Sequence, residues 1–145
     1  MAKLSEVLTD TTRKAEVVDD CIGIINAEVA EKSGLSGMAI KAGYKAVNGF
    51  KPGFVKNVVT DLLPKFADAM DPVFQEAVEK DEPVTGYFIN NSSRVADSLL
   101  AITDAKAERS QNKLVRKTYK RLRGQAKKNV EAAVPRLGAV IEKHT

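Results

Sequence analysis

The sequence predicts an all-α protein, a single helical bundle of six to eight helices in one domain spanning residues 1–145. Residues 17–30, VVDDCIGIINAEVA, carry apolar side chains nearly all round a helical wheel, which is typical of a helix inside a domain. A similar stretch, VADSLLAITDAKA, follows at residues 95–107. No segment has the alternation of apolar and polar residues that a half-buried strand requires.

An internal repeat is predicted from three blocks that recur in the same order. The matching segments are 17–27 with 95–105, 44–49 with 119–124, and 59–66 with 130–137, so that Asn26, Tyr44 and Pro64 correspond to Asp104, Tyr119 and Pro135. We therefore expect two related halves of three helices each, at about residues 13–70 and 92–141. The two apolar stretches should pack against each other in a shared core. The alternative is chance similarity between amphipathic helices.

Each helix of the first half has its own sequence evidence. Gly34 should end the first core helix, as glycine commonly does just past a helix end. Pro64 falls inside the next long apolar pattern and predicts a kink. Asp71 and Pro72 should then start a new helix, as its cap and its first residue. The predicted helices are residues 4–8, 13–32, 37–48, 54–70 and 73–79.

The second half follows a charged turn at residues 80–83. One helical turn is expected at residues 85–90, and Ser92 or Ser93 should cap the second core helix. A long helical pattern then begins near residue 112 and continues to about residue 134. Pro135 lies inside it, and a last segment reaches residue 143.

Composition indicates an ordinary soluble globule, with 43% apolar and 29% charged residues. The lone cysteine, Cys21, lies in the first core stretch and should be a buried, unreactive thiol. The N-terminal MAKLSEVLTD has no apolar run after its lysine, so we expect no signal peptide. No apolar run approaches the roughly 20 residues that a transmembrane helix needs. The predicted location is the cytoplasm.

The residue combinations that carry catalysis or metal binding do not occur in this sequence. His144 is the single histidine, which excludes a Glu-x-x-His pair, a Cys/His zinc site and a Ser-His or Cys-His nucleophile. Asp19 and Asp20 are adjacent and point about 100° apart on a helix, so a shared-proton pair is not expected. We predict a structural role instead, as a hydrogen bond or ion pair with Tyr44, Lys45, Tyr119 or Lys120. We predict no enzyme, no cofactor, and no catalytic, cofactor-binding or metal-binding residues.

Positive charge is concentrated near the end of the chain. Residues 1–104 contain 11 Lys/Arg and 16 Asp/Glu, whereas residues 105–145 contain 12 and 3. The excess lies mostly on the helix of residues 113–128, which has one apolar face. The small residues Ala42, Gly43 and Ala46 of the matching first-half helix are expected to be buried instead. The candidate anion-contact residues are Arg116, Lys117, Lys120, Arg121, Arg123, Lys127 and Lys128.

A cationic strip of this kind suits nucleic acid, an anionic membrane surface or an acidic protein. We therefore expect a non-enzymatic interaction domain that contacts an anionic partner through residues 113–128. The strip is alternatively a solvated face that only aids solubility. The protein would then be a structural or self-associating module, such as a homodimer, without nucleic-acid binding. An enzyme or small-ligand carrier ranks last, and a deep pocket with convergent polar groups would favour it.

Three segments, GLSGMAIKAGYKAV, LLPKFADAMDP and AAVPRLGAVIEKH, are similar to a family of uncharacterised, small all-helical bacterial proteins. The resemblance covers the chain from Val17 onward. It implies a bacterial, cytosolic setting. It brings no activity, cofactor or functional residue with it.

Overall fold

The computed structural model describes residues 3–32 and 34–145, with the backbone alone for Leu35, Ser36 and Phe50. This part of the chain forms seven α-helices and no strand, which confirms the predicted all-α bundle. The helices are α1 (Leu4–Leu8), α2 (Lys14–Glu31), α3 (Gly34–Phe50), α4 (Phe54–Glu79), α5 (Val84–Asn90), α6 (Ser92–Arg109) and α7 (Lys113–His144).

Four of these helices form a ring around the molecular axis. α2 packs against α4 and α7, and α6 packs against the same two helices from the other side. The order around the ring is therefore α2, α4, α6, α7. α1 covers α4, α5 covers α7 and α4, and α3 lies over α2, α4 and α7. The buried apolar core includes Leu4, Leu63, Phe74, Phe88, Val95 and Ile141.

The expectation that the two apolar stretches pack together is wrong. α2 and α6 lie diagonally across the ring, and their described residues make at most marginal direct contact. Val17 and Val18 of α2 are buried, whereas Ile24 and Ile25 are only half-buried. Apolar residues on all sides of a helix indicate that the helix is buried, but they do not indicate which other helix it packs against.

The expected new helix at Asp71 and Pro72 is also wrong. α4 continues through both Pro64 and Pro72. Val73 and Phe74 are each 2% exposed, and burying them offsets the cost of a proline inside the helix. Asp71 does cap a helix, but a different one, because its Oδ1 accepts a hydrogen bond from Leu4 N at 2.8 Å.

The second half of the chain contains two helices instead of the expected three. In the first half, the chain turns between α3 and α4, where Gly53 has a left-handed φ of 78°. The matching region of the second half, around Gly124, lies inside the continuous α7.

Matched positions nevertheless make the same hydrogen bond in both halves. The Tyr44 hydroxyl donates to Asn26 Oδ1 at 2.6 Å, and the Tyr119 hydroxyl donates to Asp104 Oδ1. The first bond joins α2 to α3, and the second joins α6 to α7. The internal repeat itself stays a prediction.

α5 and α7 approach each other closely. Gly138 is buried, and a Cβ atom at this position would lie 2.9 Å from Thr85 Cα. Only glycine lets the two backbones come this close. A hydrogen bond from Thr85 N to Glu142 Oε1 at 2.9 Å joins the same two helices.

Candidate functional site

The first candidate site is the basic surface of α7. The amides of Leu114 and Val115 donate to the Asn112 side chain, which starts the helix where the sequence predicts it. The apolar face of the helix then turns inward, and most of its cations turn outward. Five of the seven candidate residues are exposed and form no ion pair with any residue that the structure describes, namely Arg116, Lys117, Lys120, Arg121 and Lys128.

The other two candidates have partners on α6. Arg123 Nε lies 2.8 Å from Asp104 Oδ1, and Lys127 Nζ lies 3.1 Å from Asp97 Oδ1. Hydrogen bonds from Arg123 and Tyr119 lower the pKa of Asp104 below its usual value. These two cations therefore fasten α7 to α6 and are less available to an outside partner.

A second acid-free segment lies beside this surface. No Asp or Glu occurs between residues 32 and 60 or between residues 109 and 130. α3 belongs to the first segment and packs directly on α7, because a Cβ at Gly43 would lie only 3.0 Å from Thr118 Cγ2. Lys41 and Lys45 of α3 are exposed. We call these two lysines and the seven candidate residues of α7 the cationic face.

The outer side of α3 differs from expectation. Gly43 is buried, but Ala42 and Ala46 are exposed, so this row of small residues is not buried as a whole. Met38 is 68% exposed and lies within about 60° of Lys41 and Lys45 on the helix surface. This combination of exposed lysines and an exposed methionine has no clear sequence signal, because the small residues of α3 are equally typical of a packing surface.

The second candidate site is a cavity on the axis of the four-helix ring, which we call the central cavity. Its volume is about 310 Å³, and all four ring helices line it. α2 and α6 face each other across this space. The lining is almost entirely apolar and includes Ile25, Leu63, Phe66, Leu100, Ala133 and Leu137.

Most of the few polar groups that line the central cavity already have partners, Asn129 being the exception. The Glu28 carboxylate, which is 8% exposed, pairs with Lys32 at 3.2 Å and with Arg136. The Thr103 hydroxyl lies 2.8 Å from the Tyr119 hydroxyl. Burial raises the pKa of the half-buried Cys21 thiol to about 11, so it is a weak nucleophile, as the sequence predicts. The cavity therefore offers hydrocarbon walls and no evident catalytic group.

The central cavity is large enough to hold a small apolar molecule. Its volume of about 310 Å³ is about twice the roughly 150 Å³ known to accept benzene in an engineered protein.

Two further spaces adjoin the central cavity. A basic cleft of about 440 Å³ lies between α4, the end of α6 and the start of α7, and Thr103 lines both this cleft and the central cavity. A cavity of about 220 Å³ under α3, the α3 cavity, shares Val29 and Ile40 with the central cavity. It shares three further lining residues, Phe54, Val115 and Tyr119, with the basic cleft.

A third cluster joins α2 to the end of α7. His144 is 4% exposed, and its Nε2 lies 2.7 Å from Asp20 Oδ2. Glu16 could join these two residues as a metal ligand, but Lys143 Nζ already lies 3.3 Å from Glu16 and 3.1 Å from Asp20. Burial raises the pKa of Asp20, but hydrogen bonds from His144 and Lys143 outweigh this effect and lower it. The cluster joins two helices, and the expected partners of the aspartates are wrong: Asp20 contacts Lys143 and His144, and Asp19 pairs with Lys56 at 3.5 Å.

The fold and these surfaces define a class of protein: a small helical bundle with an apolar axial cavity and a cationic face. None of the helices in the described part of the chain has both the length and the apolar character needed to cross a bilayer. The chain belongs to a family of unknown function, DUF6918, which it matches over residues 4–145. This confirms the resemblance to an uncharacterised family. No curated protein and no solved structure matches the chain.

Proposed function

We propose that the protein is a non-enzymatic interaction domain that contacts an anionic partner through its cationic face. One observation carries the proposal: two acid-free segments, α3 and the first part of α7, pack side by side and present exposed cations. Among the described residues, no carboxylate pairs with Arg116, Lys117, Lys120, Arg121 or Lys128. Such a concentration of one charge raises the local concentration of an oppositely charged partner.

An anionic lipid surface is the partner that the geometry favours. Met38 projects beside Lys41 and Lys45, and an apolar side chain among cations is typical of helices that lie on a membrane surface. Nucleic acid also attracts cations, but reading base edges requires polar side chains in a groove, and the exposed part of α7 is dominated by lysine and arginine. We further propose a cytoplasmic setting in a bacterium, where anionic phospholipid is within reach of such a face.

The test compares binding to lipid vesicles and to nucleic acid. Wild-type protein should sediment with phosphatidylglycerol vesicles and not with phosphatidylcholine vesicles, and binding should weaken steeply as salt rises. Each lysine or arginine near an anionic surface contributes about 1 kcal/mol, so Lys117→Gln/Arg121→Gln should weaken vesicle binding about 30-fold.

A matched control removes the same charge elsewhere. Lys3 and Lys65 are exposed and form no ion pair within the described residues, so Lys3→Gln/Lys65→Gln should leave vesicle binding nearly unchanged. Equal weakening by both double variants would contradict a localised face. Binding to duplex DNA or RNA but not to vesicles would favour the nucleic-acid alternative. If wild type binds neither at low salt, the structural or self-associating module is favoured instead.

A further inference from the structure

We propose that the central cavity binds the hydrocarbon chain of a single-chain amphipathic anion, such as a long-chain carboxylate or alkyl phosphate, and that its anionic group lies in the basic cleft. The site is independent of the cationic face, because none of the nine residues of that face lines the cavity or the cleft. A failure of one proposal therefore leaves the other unaffected.

The walls of the central cavity suit methylene groups. All four ring helices contribute aliphatic or aromatic side chains, and the volume of about 310 Å³ lies within the range of small-molecule sites. Glu28 and Lys32 are paired with each other at 3.2 Å, and Thr103 is hydrogen-bonded to Tyr119. Apart from the Asn129 side chain, little is left inside to hydrogen-bond a polar ligand, so most polar groups would be buried there at a net cost.

The basic cleft lies directly beside the central cavity, because Thr103 lines both spaces. The α3 cavity, which is lined mainly by apolar side chains, lies beside both, because it shares Val29 with the central cavity and Phe54, Val115 and Tyr119 with the cleft. A ligand with its chain in the central cavity and its anionic group in the cleft would pass beside Thr103.

The cleft supplies charge complementarity for the other end of the ligand. Lys51, Lys106 and Arg109 line it together with the amide side chains of Gln111 and Asn112, and no acidic residue does. None of these three cations forms an ion pair with a residue that the structure describes. A carboxylate or phosphate in the cleft would meet uncompensated positive charge, whereas an ammonium group would be repelled.

Calorimetric titration with dodecyl compounds tests the whole site. Dodecanoate and dodecyl phosphate should each bind at one saturable site, dodecanol more weakly, and dodecyltrimethylammonium most weakly. Decanoate should bind about 15-fold more weakly than dodecanoate, because each buried methylene contributes about fourfold. The absence of saturable dodecanoate binding would overturn the proposal. Equal affinity for all head groups would overturn the role of the cleft.

A pair of variants on α7 tests the location of the chain. Ala133 lines the central cavity, whereas the neighbouring Ala132 is exposed. Ala133→Phe fills part of the space and should weaken dodecanoate binding at least tenfold, while Ala132→Phe should not change it. Wild-type affinity in a folded Ala133→Phe protein would overturn the assignment.

The reactivity of Cys21 reports whether the central cavity is occupied, without any substitution. Cys21 is the single cysteine of the chain and lines the central cavity. Saturating dodecanoate should slow its modification by a thiol reagent at pH 9 at least tenfold, and an unchanged rate would place the ligand elsewhere.

The head group is tested with Lys106→Gln/Arg109→Gln. This variant should weaken dodecanoate binding about tenfold and leave dodecanol binding unchanged, whereas Lys3→Gln/Lys65→Gln should affect neither. Equal losses for dodecanoate and dodecanol would contradict a charge-specific cleft.

Discussion

At the scale of single residues, ion pairs join parts of the chain that are far apart in sequence. Asp20 contacts His144, which lies 124 positions further along the chain. Arg136 pairs with Glu28 and Glu31 on another helix. No local sequence pattern indicates contacts of this kind, whereas helical periodicity does assign the exposed cations of α7 to one face of the helix.

Glu76 leads to a prediction about acid stability. Hydrogen bonds from Arg94 and from the Tyr87 hydroxyl lower the pKa of Glu76 from 4.5 to about 2. A carboxylate with a lowered pKa stabilises the folded state above pH 4.5, and this contribution is lost as the pH falls from 4.5 towards 2. Glu76→Gln should therefore lower the free energy of unfolding at pH 7 and flatten its decline below pH 4.5.

Urea denaturation between pH 2 and pH 7 measures this effect. Glu79→Gln is the matched control, since Glu79 is exposed on the same helix and forms no ion pair with a described residue. An unchanged pH profile in Glu76→Gln would show that the contact with Arg94 does not persist in solution.

At the scale of helices, periodicity predicts which segments are helical but not where some of them break. The apolar pattern correctly places α2, α6 and the start of α7. It fails at Pro72, because a sequence rule treats proline as a helix start, whereas the burial of Val73 and Phe74 keeps α4 continuous. It also expects a third helix in the second half, where α7 continues without interruption. In both places tertiary packing, and not the local sequence, determines whether the helix continues.

Because α5 packs closely on α7, a Gly→Ala substitution should destabilise the protein at Gly138 and stabilise it at Gly124. Gly138→Ala would bring a methyl group to 2.9 Å from the Thr85 backbone, so the helices must separate, at a cost of about 1–3 kcal/mol. Gly124 lies on the same helix, and a Cβ atom there would meet no neighbouring group within 4 Å. Gly124→Ala should therefore stabilise the protein by about 0.5–1 kcal/mol. Denaturant unfolding of both variants measures the difference. Stabilisation by Gly138→Ala would contradict the close approach.

At the scale of the whole molecule, the ring of four helices could not be predicted from the chain. The sequence shows two strongly apolar helices, and the simplest arrangement buries them against each other. In the structure the central cavity separates them, and α4 and α7 each contact both. Apolar composition is the same for a packed core and for the wall of a ligand site, so the central cavity had no sequence signal.

Truncating a side chain that borders the central cavity should cost less stability than truncating one in the packed core. Ile24 is half-buried and borders the central cavity, so Ile24→Ala should cost only about 1–2 kcal/mol. Phe88 is fully buried, and Phe88→Ala should cost about 3–5 kcal/mol. Denaturant titration of ligand-free protein compares the two. Equal costs would indicate that Ile24 packs against a filled core.

The position of α7 in the chain has a consequence for synthesis on the ribosome. α7 packs against α2, α3, α5 and α6, and it is made after these helices. Until it emerges from the ribosome, α2 and α6 each lack one of their two neighbours in the ring and expose apolar side chains to solvent. The ring therefore closes late, by contacts between distant parts of the chain, which form slowly. During this interval the nascent chain presents the kind of apolar surface that chaperones bind.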